Sequence, residues 1–365
     1  MPSSLYAAPP GHLTLLMAAR RTASFIAPAH PPSSFYLYVP RAHPVTRRAR
    51  GEDVGPGDVL SPPGDARPVS PTAGGGAGVS PTIATVPLAA SPSAAPAPPP
   101  RSKGKGPGPN GFPLLVVIHD SSRDAESLRD HWAALAEEEG CVVLSPHFPC
   151  DIKVGPVASS ADGQFPDGPD NYKRLAWTNA AGESVRYDEV LLSMIDTVEQ
   201  EWGCVDTRTF SLVGFSGGGQ FVLRFFYLYP ERLHAVSVGA PGRATPLVAK
   251  PWPEGIEEAP VRSDGRRVDV EALRARTESG ETKVHLLIGD EDTWRPVQPD
   301  GSRAAHSRFD VMQAVRGSFD AAGVVYEYDV VRGAKHEAGK IREVAMPWVR
   351  RHVRRPDQAE VRASI

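Results

Sequence analysis

The chain has 365 residues, 41% of them hydrophobic and 23% charged, enough apolar material for one large domain or two small ones. A net charge of −3 gives no electrostatic reason to expect nucleic acid or an anionic membrane surface as a partner. No apolar run reaches the roughly 18 residues that a membrane span needs. The three cysteines (Cys141, Cys150 and Cys204) form neither a disulfide framework nor a metal-ligand spacing, so a reduced protein is expected, although Cys141 and Cys150 could pair in an oxidising compartment.

Residues 1–24 read as a flexible N-terminus. Leu13 to Ala19 is short and apolar but is followed by Arg20 and Arg21, the wrong polarity for a secretory signal. Six arginines and no acidic residue over 1–51 resemble an organellar transit peptide; a cytoplasmic location is the leading expectation and organellar targeting the alternative. Residues 25–40 hold the first strand, Phe35 to Val39. Of the 60 residues over 51–110, 25 are Gly or Pro and none is aromatic. Such a stretch cannot bury enough apolar surface to offset its ordering entropy, so a disordered insertion is expected over 41–111, a swollen loop between two strands.

From residue 112 strands alternate with helices. The apolar runs predict strands at 114–118, 141–145, 209–214, 234–239, 284–288 and 325–331. Apolar periodicity predicts helices near 126–139, 187–202, 217–229 and 306–322, and a last one near 340–352. This order calls for a mostly parallel central sheet with helices on both faces, an α/β class occupying 112–352. Residues 146–185 and 241–282 break the rhythm, and long excursions at strand ends shape ligand sites. Trp252 and Trp294 could line a pocket or pack in a core or lid. The basic cluster Arg350, Arg351, Arg354 and Arg355 leads into a tail over 353–365 that reads as solvated.

Gly214-Phe215-Ser216-Gly217-Gly218 is a Gly-x-Ser-x-Gly motif. By itself it is weak, and a Gly-rich turn with a helix-capping serine is the plain alternative. Here it joins an apolar strand to an apolar-periodic helix, the setting in which a sharp turn lifts a serine hydroxyl above a sheet. A serine hydroxyl needs a base to become a nucleophile. Of the five histidines that follow, His234 and His285 lie at or in strands, His306 opens a helix and His352 sits in the basic end. His336 lies in a loop just past a strong strand. The acid that orients it is expected in the loop after the preceding strand, where Asp292 at the Gly-x-x-Asp spacing is favoured over Asp290 and Glu291. Backbone N–H groups of Gly217 and of Asp120 or Ser121 are candidates for an oxyanion hole. A carboxylate at 120 would oppose the oxyanion unless it turns away.

Together the Phe35-to-Pro40, Pro113-to-His119, Gly214-to-Gly219, Gly289-to-Asp292 and Gly333-to-His336 segments resemble the α/β-hydrolase-fold serine esterases, near the polyhydroxyalkanoate-depolymerase and feruloyl-esterase-like branch. The usual His-Gly of this family is replaced by His119-Asp120. The resemblance implies an α/β-hydrolase fold, Ser216, Asp292 and His336 as a triad and no cofactor; no metal is expected from the ligand spacing, and a small-molecule acyl substrate is the expected partner, although family membership alone does not give the substrate. It is expected to cleave a carboxylic ester; a peptidase, thioesterase or acyltransferase would use the same residues. A catalytically inactive, ligand-binding hydrolase-fold protein is the alternative of a different class, and Asp120 is the feature that favours it. Oligomeric state has no signature in the sequence.

Overall fold

The computed structural model describes residues 5–6, 12–15, 34–49, 111–148, 172–178, 184–295 and 306–354. Residues 25–33, 50–110 and Cys150 lie outside the described residues, and with them most of the expected insertion.

The strands are β1 (Leu5–Tyr6), β2 (His12–Leu15), β3 (Ser34–Tyr38), β4 (Phe112–Ile118), β5 (Val142–His147), β6 (Ala176–Thr178), β7 (Ser184–Arg186), β8 (Val205–Phe215), β9 (Leu233–Gly239), β10 (Lys283–Gly289) and β11 (Glu327–Val331). The helices are α1 (Pro44–Ala49), α2 (Ala125–His131), α3 (Ala133–Glu139), α4 (Tyr187–Trp202), α5 (Gly217–Leu228), α6 (Val270–Glu278), α7 (Arg308–Ala322) and α8 (Ala338–His352). Nine strands form one sheet in the order β1-β2-β3-β5-β4-β8-β9-β10-β11. The pairs from β5 through β11 are parallel, and the β1, β2 and β3 pairings are antiparallel.

Continuous apolar runs are expected of strands covered on both faces, and β4 shows why. Its Leu114, Val116 and Ile118 join the core beneath α4, α5 and α7, whereas Leu115 and Val117 join the core beneath α3 and α8. Every residue of α5 is buried, and each large apolar side chain there contributes about 1.5–3 kcal/mol by leaving water. No helix among the described residues is long and apolar enough to cross a membrane.

Several expectations shift. The helix near 126–139 is two helices: the Trp132 N–H turns back to Arg129 O, tightening the chain, and its buried ring anchors the joint. Asp124 caps α2 by accepting from the Ser127 N–H, and Gly140 ends α3 at φ 58°. The edge strand starts at Glu327 rather than 325, because the Val325 N–H is taken by Thr277 Oγ1. His306 does not open a helix; Ser307 caps α7 in a reciprocal box with Asp310. The irregular stretches 146–185 and 241–282 contain the β6–β7 hairpin and α6.

Order also begins earlier and ends later than composition implies. Two short strands, β1 and β2, come from the segment expected to be a flexible N-terminus. Residues 41–49, assigned to the insertion, carry α1; buried His43 packs on Phe112 at 5.0 Å and reaches Gly203 O at 3.2 Å. Val353 is buried, and Arg354, expected in the solvated tail, donates from Nε to Glu139 O at 2.9 Å.

Candidate active site

Ser216 is the one-residue turn between β8 and α5, at φ 54° and ψ −113°. A side chain in this region is strained by about 1–3 kcal/mol, and tight surroundings must hold it there. Glycines supply the tightness. A Cβ on Gly214 would lie 2.5 Å from the Gly218 backbone, one on Gly218 would lie 2.2 Å from Ile118 O, and one on Gly219 would lie 2.6 Å from Gly239 O. The Ser216 N–H is fixed by Gly239 O at 2.8 Å.

The two loops expected to bring partners do so. His336 Nε2 lies 2.8 Å from Ser216 Oγ, and His336 Nδ1 lies 2.6 Å from Asp292 Oδ2. The serine hydroxyl therefore donates to Nε2, and Nδ1–H donates to the carboxylate. Asp292 is buried, at 1% exposure, while Asp290 and Glu291 are exposed. Asp290 turns its carboxylate to the Gly333 N–H at 2.8 Å and ties the two loops together. Gly289 permits their approach, since a Cβ there would sit 2.1 Å from Ala334 O.

On the other side of Ser216, the β4–α2 loop presents Asp120 and Ser121. The Ser121 backbone nitrogen lies 3.4 Å from where a Cβ on Gly217 would stand, so the two main-chain segments border the same space. The Asp120 carboxylate is turned to Ser122, accepting from its N–H at 2.8 Å and its hydroxyl at 2.5 Å. Beneath the loop, buried His119 donates from Nδ1 to Asp120 O at 2.8 Å and accepts at Nε2 from the Phe148 N–H at 3.1 Å. Burial pulls its pKa down to about 3, in keeping with a neutral imidazole in this arrangement. The Tyr172 hydroxyl donates to His119 O at 2.8 Å.

Four neighbours were not among the sequence candidates. Arg308 Nη1 meets Asp292 Oδ1 at 3.3 Å, and its guanidinium lies 4.3 Å from the centre of the Trp294 ring. Burial lowers the Arg308 pKa and the Asp292 carboxylate opposes that shift. Phe215 packs under the His336 imidazole at 4.5 Å between ring centres. Tyr172 and Lys173 close over Gly217, from a stretch with no periodicity to mark them. Trp252 packs against the core and donates to Arg174 O at 3.2 Å. Among the described residues no group of three or more His, Cys, Asp or Glu side chains could hold a metal ion.

No protein-family model and no curated protein matches the chain. Solved structures do. It is similar to a poly(3-hydroxybutyrate) depolymerase from Bordetella parapertussis at 18% identity and TM-score 0.55, over 99% of this chain and 93% of that one. It is similar to an S-formylglutathione hydrolase from Agrobacterium tumefaciens at 13% identity and TM-score 0.52, over 96% of this chain and 97% of that one. To poly(aspartic acid) hydrolase-1 from Sphingomonas sp. KT-1 the values are 22% and 0.50, over 67% and 90%. With the parallel sheet and the strand–serine–helix turn, these likenesses define the α/β-hydrolase fold.

Proposed function

We propose that the chain is a serine hydrolase that cleaves a carboxylic ester or a related acyl compound through an acyl-enzyme. The observation that carries this reading is the unbroken relay Ser216 Oγ–His336–Asp292, at 2.8 and 2.6 Å. Ser216 Oγ attacks the acyl carbon as its proton passes to His336 Nε2, and the buried carboxylate of Asp292 stabilises the imidazolium. The oxyanion is met by the N–H of Gly217 at the start of α5 and by that of Ser121 or Asp120. His336 then gives its proton to the leaving alcohol, and water repeats the sequence to release the acid and restore Ser216. Asp120 is no obstacle in this reading, because its carboxylate is occupied by Ser122. The fold likeness to proteins named for hydrolysing S-formylglutathione and for depolymerising poly(3-hydroxybutyrate) favours an acyl substrate.

Fluorophosphonate labelling of the native chain and of Ser216→Ala tests the reading. Labelling should require Ser216, and turnover of p-nitrophenyl esters should fall roughly 10⁴-fold or more in the variant. Labelling that persists without Ser216 refutes the nucleophile, and a graded acyl series reads out specificity.

A further inference from the structure

Behind the strand ends that carry the candidate site lies a second space. A cavity of about 150 Å³ opens between the sheet and helices α2 and α8. Val117, Trp132, Val213, Phe215, Leu287 and Ile341 form its apolar wall. Neither Ser216 nor His336 lines it, but Phe215 belongs to both places, since its ring also packs against His336. An apolar cavity of roughly this size accepts a single benzene ring.

One end of the cavity is charged. Arg342, on α8, lines it and is half-buried, with no hydrogen bond or ion pair to any described residue. Burial lowers its pKa, and the one charge that opposes this is its chain neighbour Glu343. The Arg342 nitrogens stay accessible at the cavity's end, and a carboxylate is the group that this fork of N–H donors fits best. Asp120 and Asp124 also line the cavity, but one carboxylate accepts from Ser122 and the other caps α2 at the Ser127 N–H. Neither is among the charges acting on Arg342. His131 lines the same end; burial and Arg342 lower its pKa, while Asp124 and Asp130 oppose that shift.

We infer that this cavity is a second ligand site, for a small apolar carboxylic acid whose ring or short branched chain fills the apolar wall and whose carboxylate meets Arg342. The site does not depend on Ser216 being a nucleophile. Its occupant would press on Phe215, the ring beneath His336.

Benzoate titrated calorimetrically into the full chain provides the test, with no turnover required. Saturable one-to-one binding is expected, weakened roughly tenfold or more in Arg342→Gln by loss of a charge-assisted hydrogen bond. Benzyl alcohol, the same ring without the charge, should bind the native protein and Arg342→Gln alike. Ala345→Leu, which puts bulk into the cavity wall, should abolish binding of both; near-ultraviolet circular dichroism checks its fold, and the Arg342→Gln pair decides should it not fold. Absence of saturable binding up to about 10 mM benzoate overturns the site. Unchanged benzoate affinity in Arg342→Gln overturns the carboxylate, and binding that survives in folded Ala345→Leu overturns the location.

Discussion

The two turns that border the space above Ser216 are held by different physics. Around Ser216 the chain is held by contact: β4, β8, β9 and α5 approach so closely that Gly214, Gly218 and Gly219 have no room for a side chain. Around Asp120 it is held by polar groups: Ser122 on the Asp120 carboxylate, His119 on the Asp120 carbonyl, Tyr172 on the His119 carbonyl. Contact restricts residue type, because glycine alone avoids the overlap. A hydrogen-bonded loop can be built from many residue types, so it leaves a weaker mark in the sequence.

The largest effect should arise at Asp292, which touches neither turn but orients the base that the contact-held serine needs. Asp292→Asn keeps the shape but cannot hold His336 in the tautomer that accepts from Ser216, so turnover should fall about 10³-fold or more. Asp290→Asn keeps an oxygen for the Gly333 N–H and should change the rate only marginally. Steady-state kinetics of the two variants separate them; equal losses would show that the acid is shared or misassigned.

Gly218→Ala attacks the contact-held turn directly. Its Cβ would meet the backbone O of Ile118 at 2.2 Å, and no side-chain rotation on either side can relieve the overlap. A loss of about 3 kcal/mol or more in urea unfolding is expected. A near-neutral result would mean that the elbow is looser than its glycines imply.

The same contrast explains what could be read in advance. The serine turn was legible because its glycines, its apolar strand and its apolar helix are compositional facts. His336 and Asp292 were legible through their order behind β11 and β10. Arg308 was hidden, because its pairing with Asp292 depends on how α7 docks, and nothing local distinguishes it from other arginines. Tyr172 and Lys173 come from a stretch without periodicity, and His119 reads as the polar end of an apolar strand. In the fold, the strands of the parallel sheet and the helices that cover it were plain from 112 onward, but the β6–β7 hairpin and α6 lie in stretches without periodicity, and the break at Trp132 and the late start of β11 rest on single N–H partners that no periodicity reveals.

Acid should weaken the fold through two buried imidazoles, one of them beneath the polar-held turn. Burial draws the pKa of His119 down to about 3 and that of His43 to about 4, from an ordinary 6.5. Below pH 6.5 the unfolded chain takes up protons that the folded chain refuses, so the stability is whole above that value and is lost as pH falls toward the folded pKa values. Between pH 7 and 5.5, mostly above the carboxylate range, these two histidines should remove about 2 kcal/mol. Urea midpoints at the two pH values measure it; a flat profile would show that these imidazoles charge freely in the fold.

The smallest effect tests how Asp120 is tolerated beside a developing oxyanion. Ser122→Ala removes the hydroxyl that donates to Asp120 Oδ1 at 2.5 Å and leaves only the N–H bond at 2.8 Å. With one of its two restraints gone, the carboxylate samples orientations nearer the Gly217 N–H, where its charge opposes the transition state more than the bound ester. The rate constant for turnover should therefore drop about fivefold, on the order of 1 kcal/mol, with KM little changed. Adding Asp120→Asn to the Ser122→Ala protein should restore most of that loss, because the amide carries no charge to oppose the oxyanion. If the double variant is as slow as the single one, the hydroxyl shapes the loop backbone instead, and the polar-held turn is as intolerant of change as the glycine-held one.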